Sequence, residues 1–350
     1  MRLERLLPGR TQSLSLRGGI LTRDLVVAGL RMSKGRRLTA EDLAAIVAAG
    51  ESFDGVTVLL PDPWEVHEDE AAVRLAQAVA GGHPGVTLRG PAQSRVDLVA
   101  AAAGVVEVRL AALERLNRLD PLEVFTVFDG QVAAPGDLVA SVKIGPHLVQ
   151  AEVLDAGMAI ASRGGPLVLV RPFRPMRIAV LVNEHVTGQG RDRFERAVRA
   201  KVEGLGARLG SVTYVTDDAD AVTAALAASV VPGPDRAAIV LTAGGASTDP
   251  GDAFFRAVEA LGGRVVRHGV PSHPGSMLWL ARVGRTAVVG LPSCGAYSMA
   301  TAADLLLPRL VAGQPATAAT VARLAHGGIL ARSQRFRFPA YARELEAPEG

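Results

Sequence analysis

Cysteine occurs once, at Cys294, so no disulfide can close within the chain and a cysteine-ligated structural zinc is excluded. Aromatic residues make up only 4%, which leaves the core to Val, Leu, Ile and Ala within a hydrophobic share of 49%. Lysine occurs three times, so nearly all of the 38 basic residues are arginine. These are scattered, with no run and no interleaved aromatics, and the formal net charge is only +3. A nucleic-acid groove is therefore not expected, although arginine suits a local phosphate or carboxylate. Long apolar runs are also missing. The stretch 98–106 comes nearest, far short of the roughly 20 residues of a membrane span. Residues 1–18 lack a continuous apolar h-region, so no secretory signal is expected. The expectation is a globular, cytoplasmic chain with neither repeats nor low-complexity tracts, and its 350 residues suffice for two or three domains.

What is present is organised around residues 239–261. An apolar run breaks into Thr242-Ala243-Gly244-Gly245-Ala246-Ser247, the acids Asp249 and Asp252 follow, and Phe254, Phe255, Val258 and Leu261 return at helical spacing. The pattern predicts a buried strand, a glycine turn and an amphipathic helix. Glycines let a backbone approach an anion closely, and the N–H groups opening a helix point towards it. Asp249 and Asp252 are placed either to hold a divalent cation or to cap the helix.

Residues 1–84 read as a mixed α+β segment. Thr39 is placed to cap a helix over 40–47, residues 56–60 form a short strand, and acids at 68–70 open a helix that ends on glycines. His67 stands among those acids but has no second histidine at ligand spacing. Residues 85–175 read as a β-rich module, with short β-branched stretches punctuated by Gly90-Pro91, Asp129-Gly130 and Ala134-Pro135-Gly136-Asp137. Arg171-Pro172-Phe173-Arg174-Pro175 marks the end of that module, and 326–350 read as a C-terminal arm.

From Arg177 a regular α/β alternation runs through 176–325, with strands expected at 177–182, 211–215, 264–268, 277–283 and 286–290 and a last helix over 296–310. A doubly covered sheet presents its ligand contacts beyond the carboxyl ends of its strands. Those ends carry Asn183-Glu184, Thr216-Asp217-Asp218, Gly244-Gly245-Ala246-Ser247 and Gly290-Leu291-Pro292-Ser293. Four polar or glycine-bearing turns at one edge predict a small-molecule site. Ser293, Cys294, Gly295, Tyr297 and Ser298 add hydroxyls and backbone donors at a helix start. Cys294 has no His or Asn close in sequence to activate it and reads as a structural cysteine.

Thr242-Ala243-Gly244-Gly245-Ala246-Ser247 with Asp252 resembles the TTGGxS…D turn of the molybdopterin-binding fold of molybdenum-cofactor biosynthesis proteins. Pro274-Gly275 and Gly290-Leu291-Pro292 resemble the paired PG and GLP segments of molybdopterin molybdotransferases, Asp217-Asp218 the family's DD turn, and Asn183-Glu184 its GDE or GNE turn. The likeness spans roughly 177–313. Over the N-terminal half it is looser, resting on Pro135-Gly136-Asp137 with Val139-Ala140. Three departures mark a divergent branch: TAGG for TTGG, Ser293-Cys294-Gly295 within the GLPGNP turn, and Pro274-Gly275-Ser276-Met277 where a PGKP lysine is usual.

The resemblance implies a three-layer α/β/α domain over 176–325 beside a β-rich α+β N-terminal region. It implies a ligand, molybdopterin or its adenylylated form, held by Asn183, Glu184, Gly244, Gly245, Ser247, Gly290, Pro292, Ser293 and Ser298. Mg²⁺ is implied on Asp249, Asp252 and Glu184, with Asp217, Asp249 and Asp252 serving a molybdotransferase-like transferase reaction of Mg-dependent molybdate insertion. A non-catalytic cofactor carrier and a nucleotide-type hydrolase on the same fold are the alternatives. A homodimer is implied, together with a molybdoenzyme or another cofactor-assembly protein as partner.

Overall fold

The computed structural model describes residues 1–10, 15–27, 29–49, 53–184, 188–233, 235–245, 247–291 and 299–343. The chain forms two compact units, one of residues 1–101, 108–127 and 135–169 and the other of 102–107, 128–134 and 170–350. This differs from the linear division read from the sequence. Gly104–Val108 hydrogen-bonds between Val132–Ala133 and Val168–Pro172, so short pieces of the expected 85–175 module pair across a long sequence gap. Among the described residues no helix is long and apolar enough to cross a membrane.

In the first unit, Arg2–Leu6, Val56–Leu60 and Ile20–Leu21 form an antiparallel sheet. The helix Ala40–Ala48 packs its Leu43 and Ile46 with Leu6, Val56 and Val58 in one apolar cluster. That helix starts where Thr39 and Asp42 cap each other reciprocally, which satisfies two backbone donors at once. A second antiparallel sheet orders Leu122–Thr126, Leu138–Ile144, Arg95–Ala100 and Val86–Ala92, and the helix Glu68–Ala80 packs on it. His67 caps that helix: its Nδ1 accepts from the Asp69 N–H at 3.2 Å, and its Nε2 donates to the Gly35 carbonyl at 2.8 Å. Both ring nitrogens are thereby used, which accounts for the histidine without a metal.

The second unit is built on a six-stranded sheet. In chain order its elements are β1 (Arg177–Val182), α1 (Gln189–Glu203), β2 (Arg208–Tyr214), α2 (Ala219–Val230), β3 (Ile239–Ala243) and α3 (Ala253–Ala260). There follow β4 (Arg264–His268), β5 (Trp279–Val283), β6 (Thr286–Gly290) and α4 (Ala303–Val311). The strand order is β2-β1-β3-β6-β5-β4, with β2, β1, β3 and β6 mutually parallel and β5 antiparallel to both of its neighbours. Ile178, Val180 and Val182 face Phe194 and Val198 of α1 and Leu306 of α4, whereas Ala179 and Leu181 face Val222 of α2 and Phe254 of α3. Both faces of the central strands are covered, so they read as unbroken apolar runs. This is the three-layer α/β/α arrangement. The strand expected from 277 starts at Trp279, and the last helix is described from Ala303, because Met299 to Ala302 are non-helical and 292–298 lie outside the described residues.

The segment after Ala325 is no extended arm where it is described. Arg332–Arg337 makes a 3-10 helix and Ala340–Arg343 a short α-helix. Phe338 and Ala342 are buried in the apolar cluster beneath the sheet, which draws the chain back onto the domain.

Several charged contacts hold this unit, two of them built as follows. Lys201 of α1 donates to Asp304 of α4, with side chains only 3% and 0% exposed. The other Asp304 oxygen accepts from the Thr301 N–H at 2.9 Å. Tyr341 lies beside the pair, with Lys201 Nζ 5.5 Å from its ring centre, and burial together with the Asp304 charge pushes its phenol well up. Separately, Arg171 grips Glu107 through Nε and Nη2, at 2.5 and 2.9 Å, while Gln314 donates to the same carboxylate at 2.8 Å. Burial pushes the Glu107 carboxyl up, but Arg171 and Gln314 more than offset this and hold it below its ordinary value of 4.5.

Lys201→Met should lower unfolding free energy by about 3–5 kcal/mol, because it strands a buried carboxylate, and the double variant Lys201→Met/Asp304→Leu should recover part of that loss in urea titrations. Glu107 stabilises the fold while ionised, above its unfolded pKa, and that contribution is lost as pH falls through the lower folded value. Urea midpoints measured from pH 7 to pH 3 should therefore drop more steeply below about 4.5 in the native chain than in Glu107→Gln.

Candidate functional site

At the carboxyl end of β1, Asn183 keeps the strand going by one hydrogen bond, its N–H donating to the Ala243 carbonyl at 3.1 Å. It is 8% exposed, and its Nδ2 donates to Asp217 Oδ1 at 2.9 Å, which ties the turn after β1 to the turn after β2. The Asn183 Oδ1 is buried without a hydrogen-bond partner among the described residues, and so is Thr242 Oγ1 on β3. Leaving a buried acceptor unpaired costs about 1–3 kcal/mol.

β3 ends in Gly244 and Gly245, with φ of +90° and +78°. Side chains are strained there, and space forbids them too. A Cβ on Gly244 would clash with Asn183 Oδ1 and stand 2.8 Å from the Glu184 backbone nitrogen, and one on Gly245 would stand 2.5 Å from Asp252 Oδ2. The acids that follow fix local structure. Asp249 Oδ1 accepts from the Gly251 N–H at 2.8 Å, Asp252 Oδ1 from the Phe254 N–H at 2.9 Å to cap α3, and Asp218 Oδ2 from the Ala221 N–H at 2.9 Å to cap α2.

These turns border one crevice of about 630 Å³, lined by Asn183, Glu184, Asp217, Asp218, Asp220, Gly245, Asp249, Gly251, Asp252 and Arg256. Six carboxylates thus face a space in which Arg256 is the one cation among the described lining residues. Such a hollow carries a strongly negative potential, which repels a bare phosphate and attracts a cation or a donor-rich ring. Among the described residues, no three His, Cys, Asp or Glu side chains close on a common point to hold a metal by themselves.

Of the residues singled out in the sequence, Asn183, Glu184, Asp217, Gly245, Asp249 and Asp252 line this crevice, and Gly244 abuts Asn183 and Glu184. Ser247 is described and half-buried in the turn that follows but is not in the lining. Gly290 is placed otherwise. Its register partner on β5 is Trp279, whose indole ring occupies the space a Gly290 side chain would need, so this glycine accommodates an indole and does not line the crevice. Pro292, Ser293, Cys294, Gly295, Tyr297 and Ser298 lie outside the described residues. Asp220 and Arg256 were not singled out. Arg256 stands one helical turn after Asp252, a signal that becomes readable once Asp252 is known to be the cap.

Residues 177–312 match the family described as a probable molybdopterin binding domain. The match covers the six-stranded α/β domain and leaves the first unit outside it. Among solved structures the chain is similar to the molybdopterin biosynthesis moea protein from Pyrococcus horikosii, at 17% identity over 74% of this chain and 80% of that one, with a TM-score of 0.32. It is also similar to molybdenum cofactor biosynthesis protein B, at 17% identity over 40% of this chain and 94% of that one, with a TM-score of 0.29. A third similarity is to the molybdopterin biosynthesis enzyme MoaB from Thermus thermophilus, at 19% identity, 41% and 99% coverage and a TM-score of 0.29. No curated protein matches the chain.

Gly245→Val should push Asp252 aside and impose a side chain on a left-handed residue, at a cost of about 1–3 kcal/mol. On the folded variant, molybdopterin affinity measured by calorimetry should fall at least tenfold, and an unchanged affinity would remove the paired glycines from the site.

Proposed function

We propose that the crevice beyond β1, β2 and β3 binds molybdopterin or its adenylylated form during molybdenum-cofactor assembly. The reading is supported by one observation above all: within the segment that matches the family, Asn183-Glu184, Asp217 and Gly245 meet at a single hollow, with Gly244 against Asn183 and Glu184. In this reading the backbone N–H groups at Gly244, Gly245 and the start of α3 take the phosphate, because glycine lets it approach and the helix start is electropositive. Asp217 fixes the orientation of the Asn183 carboxamide at the wall of the hollow, beside the paired glycines. Arg256 supplies positive charge at the rim.

The surrounding acids require that the phosphate arrive with a cation. Glu184, Asp217, Asp249 and Asp252 are hard oxygen donors, and Mg²⁺ commonly takes one or two carboxylates together with phosphate oxygens, so the donor set fits Mg²⁺ in that shared mode. One or two of these carboxylates would hold it, and it would neutralise phosphate charge and polarise the phosphoanhydride for cleavage coupled to molybdate insertion. Asp217, Asp249 and Asp252 are the residues assigned to that transferase chemistry, and no protein nucleophile is needed. A homodimer and hand-over to a molybdoenzyme or another assembly protein belong to the same reading. A second reading is a carrier that binds the cofactor without turnover. It is favoured by Ser276, which stands where the resemblance leads one to expect a lysine contact.

Titration of the folded protein with molybdopterin should give saturable binding that weakens at least tenfold when EDTA replaces Mg²⁺. Molybdate-dependent conversion of the adenylylated form would establish the transferase reading. Binding without conversion would establish the carrier, and no binding under either condition would end both.

A further inference from the structure

Every strand of the six-stranded sheet carries an arginine at the edge opposite the crevice. Arg177, Arg208 and Arg264 open β1, β2 and β4, Arg236 and Arg285 stand shortly ahead of β3 and β6, and Arg282 is next to last on the antiparallel β5. The register sets them side by side, with Arg177 opposite Arg208 and Arg264 opposite Arg282. Only Arg177 has a carboxylate partner among the described residues, Asp235 at 3.5 Å, and that acid is 88% exposed. The domain is therefore polarised, with carboxylates at one end of the strands and guanidinium groups at the other.

The basic end is also hollowed. Met176, Ile239, Leu310 and Pro315 form the floor of a groove of about 220 Å³ bordered by Arg282 and Arg285. Met176 also borders a second hollow of about 450 Å³, whose wall includes Arg177, Arg208 and the acid Asp235. An apolar floor of that size accepts one aliphatic side chain, and the guanidinium rim accepts carboxylates on either side of it. Among the described residues no aromatic side chain lines either hollow. Base stacking has no platform there, which disfavours a polynucleotide.

We propose that this edge docks an acidic segment of a partner polypeptide, anchored by one apolar side chain in the groove between Arg282 and Arg285. Strands of five to seven residues put the groove about 16–23 Å from the crevice at roughly 3.3 Å per residue. A partner seated on the groove leaves the ligand crevice open, so the inference stands apart from the proposed ligand.

The test is selection of a random dodecapeptide phage library on the full chain, followed by fluorescence anisotropy with synthetic versions of the enriched peptides. The expected result is enrichment of Asp- and Glu-rich peptides with one aliphatic residue. Their affinity should fall about tenfold or more on Arg282→Glu/Arg285→Glu and also on Ala316→Leu, which narrows the groove without changing charge, while thermal unfolding of both variants stays close to that of the native chain. Three results would overturn the proposal: no acidic consensus among the enriched peptides, binding that both variants retain, or a single-stranded oligonucleotide that competes through the same arginines.

Discussion

A strand covered on both faces can meet solvent only at its two ends. β1 and β3 are such strands, with Val180, Leu181, Val240 and Leu241 wholly buried between the helical layers. Any polar chemistry this domain offers from its centre must therefore lie in the turns, and the turns at each end fall along one line. This constraint makes three separated stretches of sequence, at 183–184, 217–220 and 245–256, into one crevice at the carboxyl edge. It gathers the arginines at the other edge in the same way. The Lys201–Asp304 contact supports it from below, since it fixes α1 to α4 on one face of the sheet in surroundings where a displaced partner would leave a bare charge.

The crevice itself is governed by sign of charge. Caps and turns use one oxygen each of Asp218, Asp249 and Asp252, so these acids serve local folding as well as the hollow they border. The helix-cap and ligand-contact readings of an aspartate are thus not exclusive. A carboxylate held by a backbone N–H is oriented, and an oriented carboxylate has lost little further freedom when it meets a second partner. Asn183 follows the same logic: Asp217 claims its amide nitrogen and thereby fixes where the amide oxygen points.

Much of this was legible in the sequence because it is local. The strand, paired glycines and helix over 239–261 follow from periodicity and turn chemistry, and Thr39 and Asp252 announce helix starts. What was not legible depends on pairing at a distance. Gly290 ends a strand at the expected edge, yet whether it meets a ligand or an indole is decided by an antiparallel neighbour whose register no local pattern states. The segments 102–107 and 128–134 join the second unit through strand pairing across a wide gap in the chain, which no composition shift marks. The tail over 326–350 reads as an arm until Phe338 and Ala342 are seen to enter the core. Five of the acids around the crevice were visible in the sequence, but their joint effect on a phosphate emerges only when the turns are brought together.

The seat of Trp279 on Gly290 has an optical consequence. The chain has two tryptophans, Trp279 at 4% exposure and Trp64 at 61%. A shielded indole emits at shorter wavelength than a hydrated one, so the two report separately within one spectrum. Trp279 stands at the carboxyl edge of the sheet beside β6, and a shift confined to the blue side of the emission band would register a disturbance at that edge without any attached dye.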